Sequence, residues 1–228
     1  MRCVNETEKW PADFRVSETP IFLTDAFTGE VSEAATKIVN RVRTSEFARH
    51  ARDSIPKGLD VPNETSHPNF LTVDFGICEV DGQLTPRLIE LQAFPSLYAF
   101  QLFFLGCLRK AFPAIPRNST SSFGGLKDEA YIELLRRVIV GDSDPENVIL
   151  LEIEPDKQKT RIDFACTETL LGVRPVCLTK VHKRGAQLYY ERDGRDVRIE
   201  SIYNRVIFYE LIRRPDLNPP FRFQDELD

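Results

Sequence analysis

The stretch NFLTVDFGICEVDGQLTPRLIELQAFPSLY, residues 69–98, governs how the rest of the chain is read. Two runs with alternating apolar side chains flank Asp81-Gly82, a strong short-range signal for a β-hairpin. The alternation puts Asp74, Glu90 and Gln92 on one polar face. Leu71, Val73, Phe75 and Ile77, opposite Ile89, Leu91 and Ala93, form an apolar face expected to pack on a core. Two carboxylates and an amide oxygen on a stiff ribbon suit a hard cation, because Mg²⁺ takes oxygen ligands and shares them with phosphates. A merely solvated hairpin face has the same pattern. Register separates the two readings. A regular ladder from a two-residue turn sets Asp74 opposite Ile89, whereas matched faces need Asp74 opposite Glu90. A three-residue loop with Gly82 left-handed, or a bulge near Pro86, supplies the offset.

Val73-Asp74-Phe75, a glycine-bearing turn and Ile89-Glu90-Leu91-Gln92-Ala93-Phe94-Pro95-Ser96 together resemble the circularly permuted ATP-grasp family typified by glutathionylspermidine synthetase. That family carries an R-x-D-F … E-x-N-x-D-x-P-T/S hairpin whose Asp, Glu and Asn hold the Mg²⁺ of Mg-ATP. The resemblance implies Asp74, Glu90 and Gln92 as metal ligands, with Ser96 in a loop facing the substrate. Thr72 replaces the family's arginine, removing a phosphate-neutralising charge, and Gln92 is one methylene longer than the Asn.

Composition narrows the alternatives. A chain of 228 residues, 42% hydrophobic, is long enough for one substantial core or two small ones. A net charge of −5 gives no general pull toward nucleic acid or anionic lipid. The longest apolar run, Leu102 to Leu108, falls far below the roughly 20 residues of a membrane span. Cys3, Cys78, Cys107, Cys166 and Cys177 show no ligand-like spacing and read as reduced thiols of a cytoplasmic protein. His50, His67 and His182 are isolated in sequence, which offers no zinc or nucleophile constellation.

The remaining segments read as mixed α/β. Apolar residues at helical spacing predict one amphipathic helix from Val31 to Arg52, and Ser96 is placed to cap an apolar helix, Leu97 to Ala111, buried on nearly all sides. A helix from Lys127 to Val140 comes after the loop Ser121-Ser122-Phe123-Gly124-Gly125, whose amides either hold an anion or simply turn the chain. Gly141 to Asn147 marks a boundary. Beyond it, Val148–Ile153, Thr160–Leu171 and Pro175–Val181 read as strand, helix and parallel strand. Lys157-Gln158-Lys159-Thr160-Arg161 sits at the first strand's carboxyl end, either as a ligand-binding cluster or as a solvated helix start. A hairpin around Asp193-Gly194 joins Gln187–Glu191 to Val197–Ile202 and leads into Tyr203-Asn204-Arg205.

This second part is similar to the pre-ATP-grasp domain of the same family, where a strand ending in a Y-x-R segment precedes a helix. The resemblance spans residues 70–212. It implies an α/β fold with two parts: residues 1–140, a helical segment plus metal-ligand hairpin, and residues 141–228, a Rossmann-like unit. It implies Mg²⁺ and ATP as cofactors, a small-molecule carboxylate or peptide substrate, and Asn204 and Arg205 as substrate-side residues. Family members continue into a half with a glycine-rich phosphate loop, nucleotide-binding lysines and adenine pocket. No such hairpin comes after Pro219-Pro220, so residues 1–228 are expected to hold part of a ligase site without turnover of their own. The alternative is a non-catalytic α/β binding module on the same scaffold.

Overall fold

The computed structural model describes residues 10–55 and 63–217. Cys3, residues 56–62 and the tail after Pro219-Pro220 lie outside the described residues. The fold is mixed α/β, with three small sheets among the described residues. Among the described residues no helix is long and apolar enough to cross a membrane.

Two compact units emerge: Ile21–Phe94, and the segments on either side of it. Composition places a boundary at 140/141, but residues 95–140 group with the later strands.

The first unit contains α1 (Asp25–Val42), α2 (Ser45–Asp53), β1 (Thr72–Val80) and β2 (Gln83–Gln92). The single helix expected over Val31–Arg52 is two helices. Thr44 breaks it: its hydroxyl oxygen accepts from Phe47 N at 3.2 Å and donates to Arg41 O at 2.8 Å. A threonine that bonds its own backbone competes with continued helix and starts the next one. Helix α1 packs against β2.

The second unit contains α3 (Tyr98–Ala111), α4 (Asp128–Ile139), β3 (Val148–Glu152), α5 (Arg161–Leu171), β4 (Arg174–Cys177), β5 (His182–Arg184), β6 (Gln187–Arg192), β7 (Arg195–Ile199), β8 (Ser201–Asn204) and α6 (Phe208–Arg213). Strands β4, β3 and β8 form a parallel sheet in that order, and β5, β6 and β7 an antiparallel one. Every residue of β3 is buried, as its unbroken apolar run requires of a strand covered on both faces. Ile149, Leu151 and Val176 meet Leu188, Tyr190 and Val197 of the antiparallel sheet in one core cluster. Elsewhere α3 packs on α5 through Phe100, Cys107, Ile162 and Cys166.

Two expected strands are shorter than their apolar patterns. Pro175–Val181 leaves the sheet after Cys177 in a 3₁₀ turn, Leu178–Lys180, whose Leu178 joins the inter-sheet core. Val197–Ile202 divides at Glu200, so β7 and β8 serve different sheets. The Glu200 amide donates to Asn147 O at 2.8 Å, beside the start of β3.

Helix α3 is not capped by Ser96. Its N-cap is Leu97, left-handed at φ 60°, with no capping bond from its own side chain. The orphan amides of a helix start need acceptors, and here they come from α5. Asp163, 0% exposed, accepts from Leu97 N at 3.1 Å and Phe100 N at 2.9 Å. Burial raises the Asp163 carboxyl above the usual aspartate range, while the Phe100 amide and Arg205 pull it down. Most of α3 is half-buried rather than enclosed; Ala99, Phe100 and Cys107 are its buried residues. Asp163→Ala leaves buried amides without an acceptor and is expected to cost about 3 kcal/mol. Asp163→Asn, which keeps one amide oxygen, is expected to cost less, and urea unfolding of both variants measures the difference.

Candidate functional site

The hairpin turn has two residues, Asp81 at φ 51° and Gly82 at φ 76°, the paired positive values a tight hairpin turn of this length needs. Val80 faces Gln83, and the ladder stays regular as far as Phe75 opposite Leu88. There it shifts, and Asp74 stands opposite Glu90, Val73 opposite Leu91 and Thr72 opposite Gln92. The offset therefore comes from neither a longer loop nor a bulge at Pro86. Ile89 is the extra residue.

The bulge decides the faces. A Cβ built on Gly76 would meet Ile89 Cδ1 at 3.6 Å, so Ile89 lies on the same side as Gly76 and Asp74. The sequence pattern assigns Ile89 to the apolar face; the structure puts it on the polar one, 68% exposed. The other face carries Val73, Phe75 and Ile77 with Leu84, Leu88 and Leu91. Toward the turn it is not packed: Ile77, Leu84 and Leu88 are 47%, 59% and 53% exposed. Asp74 and Glu90 are both exposed. Directly opposed residues of an antiparallel pair have Cβ atoms about 4.5–5.5 Å apart, close enough to share a ligand. Gln92, next on that face, donates Nε2 to Phe94 O at 2.6 Å, which leaves its Oε1 as the group available for a cation. These three oxygen donors fit a hard divalent ion in chemistry. Among the described residues no group of three or more His, Cys, Asp and Glu side chains is placed to hold a metal.

The other expected site residues belong to the second unit. Ser96, half-buried, precedes α3. Asn204 closes β8; its Oδ1 accepts from Val206 N at 3.0 Å and its Nδ2 donates to Val206 O at 3.3 Å, which turns the chain. Arg205 is 4% exposed. Its amide donates to Leu151 O at 2.9 Å, extending the ladder to β3, while its guanidinium lies 5.5 Å from the Phe164 ring centre and donates to Thr160 Oγ1 at 3.3 Å. The structure thus joins Asp74, Glu90 and Gln92 on one hairpin face, and Asn204 to Arg205 at the end of β8.

The basic cluster after β3 is largely tied up locally. Lys157 pairs with Glu154, Gln158 Nε2 donates to Ile153 O at 2.7 Å, and Arg161 reaches Asp13 at 3.2 Å. The loop before α4 is a turn, with Ser122 N donating to Thr120 Oγ1 at 3.0 Å, and α4 opens on Asp128 and Glu129, which disfavour an anion there.

Sequence reasoning missed Glu152. It ends β3 at 4% exposure and accepts from Ile153 N at 2.7 Å. Burial pushes its carboxyl up to about 7, opposed by the Ile153 amide and Arg205 and reinforced by Glu210. A carboxylate closing an otherwise apolar strand was the available signal.

Comparison of the chain with protein-family models, curated proteins and solved structures gave no match. The register is open to a direct check. With Cys78 replaced by Ser, Asp74→Cys paired with Glu90→Cys is expected to form a disulfide under mild oxidation. Asp74→Cys paired with Leu88→Cys, on opposite faces, is expected to stay reduced, as thiol counting by mass spectrometry would show.

Proposed function

We propose that this chain supplies the metal-ligand part of an ATP-grasp-type carboxylate–amine ligase site, with Asp74, Glu90 and Gln92 holding the Mg²⁺ of Mg-ATP. The observation that carries this reading is Asp74 standing directly opposite Glu90, reached through a bulge that a regular ladder would not contain. Bulges re-aim side chains and are enriched beside functional sites. In such ligases ATP converts a carboxylate to an acyl phosphate and an amine displaces the phosphate; the cation neutralises charge on the transferring group. Two carboxylates on a rigid ribbon position that charge, the main contribution a protein makes to phosphoryl transfer.

The resemblance gives Ser96 and Asn204 to the substrate, and both lie in the second unit. Arg205, enclosed by Phe164 and Thr160, holds the turn that presents Asn204 and does not itself meet a substrate carboxylate. The parallel order β4-β3-β8, with the chain passing from one flank of β3 to the other, supports reading the later strands as a Rossmann-like pre-ATP-grasp unit. A non-catalytic binding module is favoured instead by Thr72, which lacks the family's arginine charge, and by the bond drawing the Gln92 amide to its own backbone.

Titration with Mg²⁺, followed by NMR of the hairpin, distinguishes the two. Signals of Asp74, Glu90 and Gln92 are expected to move with a dissociation constant on the order of millimolar, since phosphate ligands are not supplied. Asp74→Asn and Glu90→Gln are each expected to abolish the response without altering the fold. Hairpin signals that ignore Mg²⁺, or a response that survives both substitutions, give the case to the binding module.

A further inference from the structure

At the carboxyl end of the parallel sheet, three charged side chains are buried together: Glu152 and Arg205 at 4% exposure and Asp163 at 0%. Arg205 acts on both carboxyls, lowering Glu152 and Asp163 alike. One guanidinium cannot fully offset two buried anions, and an uncompensated buried charge is costly enough that one group gives up its charge. Their partners show which one. Asp163 accepts amides from Leu97 and Phe100, whereas Glu152 accepts one bond, from the adjacent Ile153. Hydrogen bonds to a carboxylate favour its charged form, so the proton belongs on Glu152.

Each element around Glu152 contributes to this balance. Just past β8, Arg205 attracts its charged form, and Glu210 on α6 repels it. On β4, Cys177 stands beside it in register, and Asp163 on α5 competes for Arg205. Helix α6 comes directly after the Arg205 turn and is tied back toward β3 by Arg214, whose Nη1 lies 3.3 Å from Glu154 Oε2.

We propose that Glu152 is a proton-operated latch on this end of the sheet: with its proton bound, Arg205 serves Asp163 alone, and with the proton lost, Glu152 draws on the same guanidinium and loosens the hold of Asp163 on the first turn of α3. The latch lies wholly within the second unit and is independent of the ligase reading. A carboxyl raised from 4.5 to about 7 contributes stability that is complete below about 4.5 and is lost as pH rises through about 7.

The test is NMR on the full chain from about pH 5.5 to about 8.5, a window that brackets the expected transition. The Glu152 carboxyl carbon is expected to inflect near 7, with the Arg205 Nε–H signal moving at the same pH. Above the inflection, the amides of Leu97, Ala99 and Phe100 are expected to lose about tenfold in protection once the pH dependence of the intrinsic rate is divided out. Glu152→Gln, a mimic of the protonated form, should hold that protection at its low-pH level throughout. A Glu152 inflection in the ordinary glutamate range, an Arg205 signal that does not track it, or a pH response unchanged in Glu152→Gln overturns the proposal. If the variant fails to fold, the paired Glu152 and Arg205 titrations of the unaltered chain decide alone.

Discussion

The carboxylate of Asp163 is the constraint around which the second unit is organised. It sits on α5, which packs against β4, and it holds the first amides of α3 across a sequence separation of more than sixty residues. Leu97 can adopt a left-handed backbone because those amides have an acceptor elsewhere. With α3 pinned, Phe100 reaches Phe14 at 5.5 Å edge-on and stacks on Phe104 at 5.5 Å, which extends the core to the early segment. A buried anion needs a counter-charge, and Arg205 from the end of β8 provides it. One side chain thus links two helices to the edge of the parallel sheet.

Both tight hairpins use the same local chemistry. Asp81-Gly82 and Asp193-Gly194 have nearly identical positive backbone angles, φ 51° and 76° in one and 52° and 78° in the other. Away from the turns, their strands differ. The β6–β7 ladder is regular and buries Leu188, Tyr190, Val197 and Ile199 on one side. The β1–β2 ladder admits Ile89 as an extra residue and leaves much of its apolar side exposed near the turn. Identical turns therefore support a core-forming ribbon in one unit and a ribbon that carries paired carboxylates in the other.

Much of this was legible in the residues. Asp-Gly between alternating runs fixes both turns, Val148–Glu152 reads as a strand covered on both faces, and Gly172 at φ 77° ends α5 where a glycine stop is expected. The shared face of Asp74 and Glu90 was recognisable as a requirement, but not the device that meets it. Ile89 is apolar and fits the alternation, so nothing local distinguishes a bulged isoleucine from a paired one. The Asp163 cap was hidden for a different reason: an acid in the first turn of a helix already serves its own dipole, and its use by a distant helix is a tertiary fact. Thr44 shows the converse: it lies inside an unbroken apolar period, yet its local hydrogen bonds end one helix and start the next.

The order of strands also imposes an order of assembly. Strands β5, β6 and β7 are neighbours in sequence and pair through short turns, whereas β8 joins β3 only after the whole antiparallel sheet has been passed. Closing so long a loop costs entropy before any contact repays it, so local ribbons form early and distant parallel pairings late. The pairing of β8, which ends at Asn204 just before Arg205, is therefore the one in the parallel sheet with the longest loop to close. A chain that has folded every other strand but not this one would already contain its buried acids without their cation.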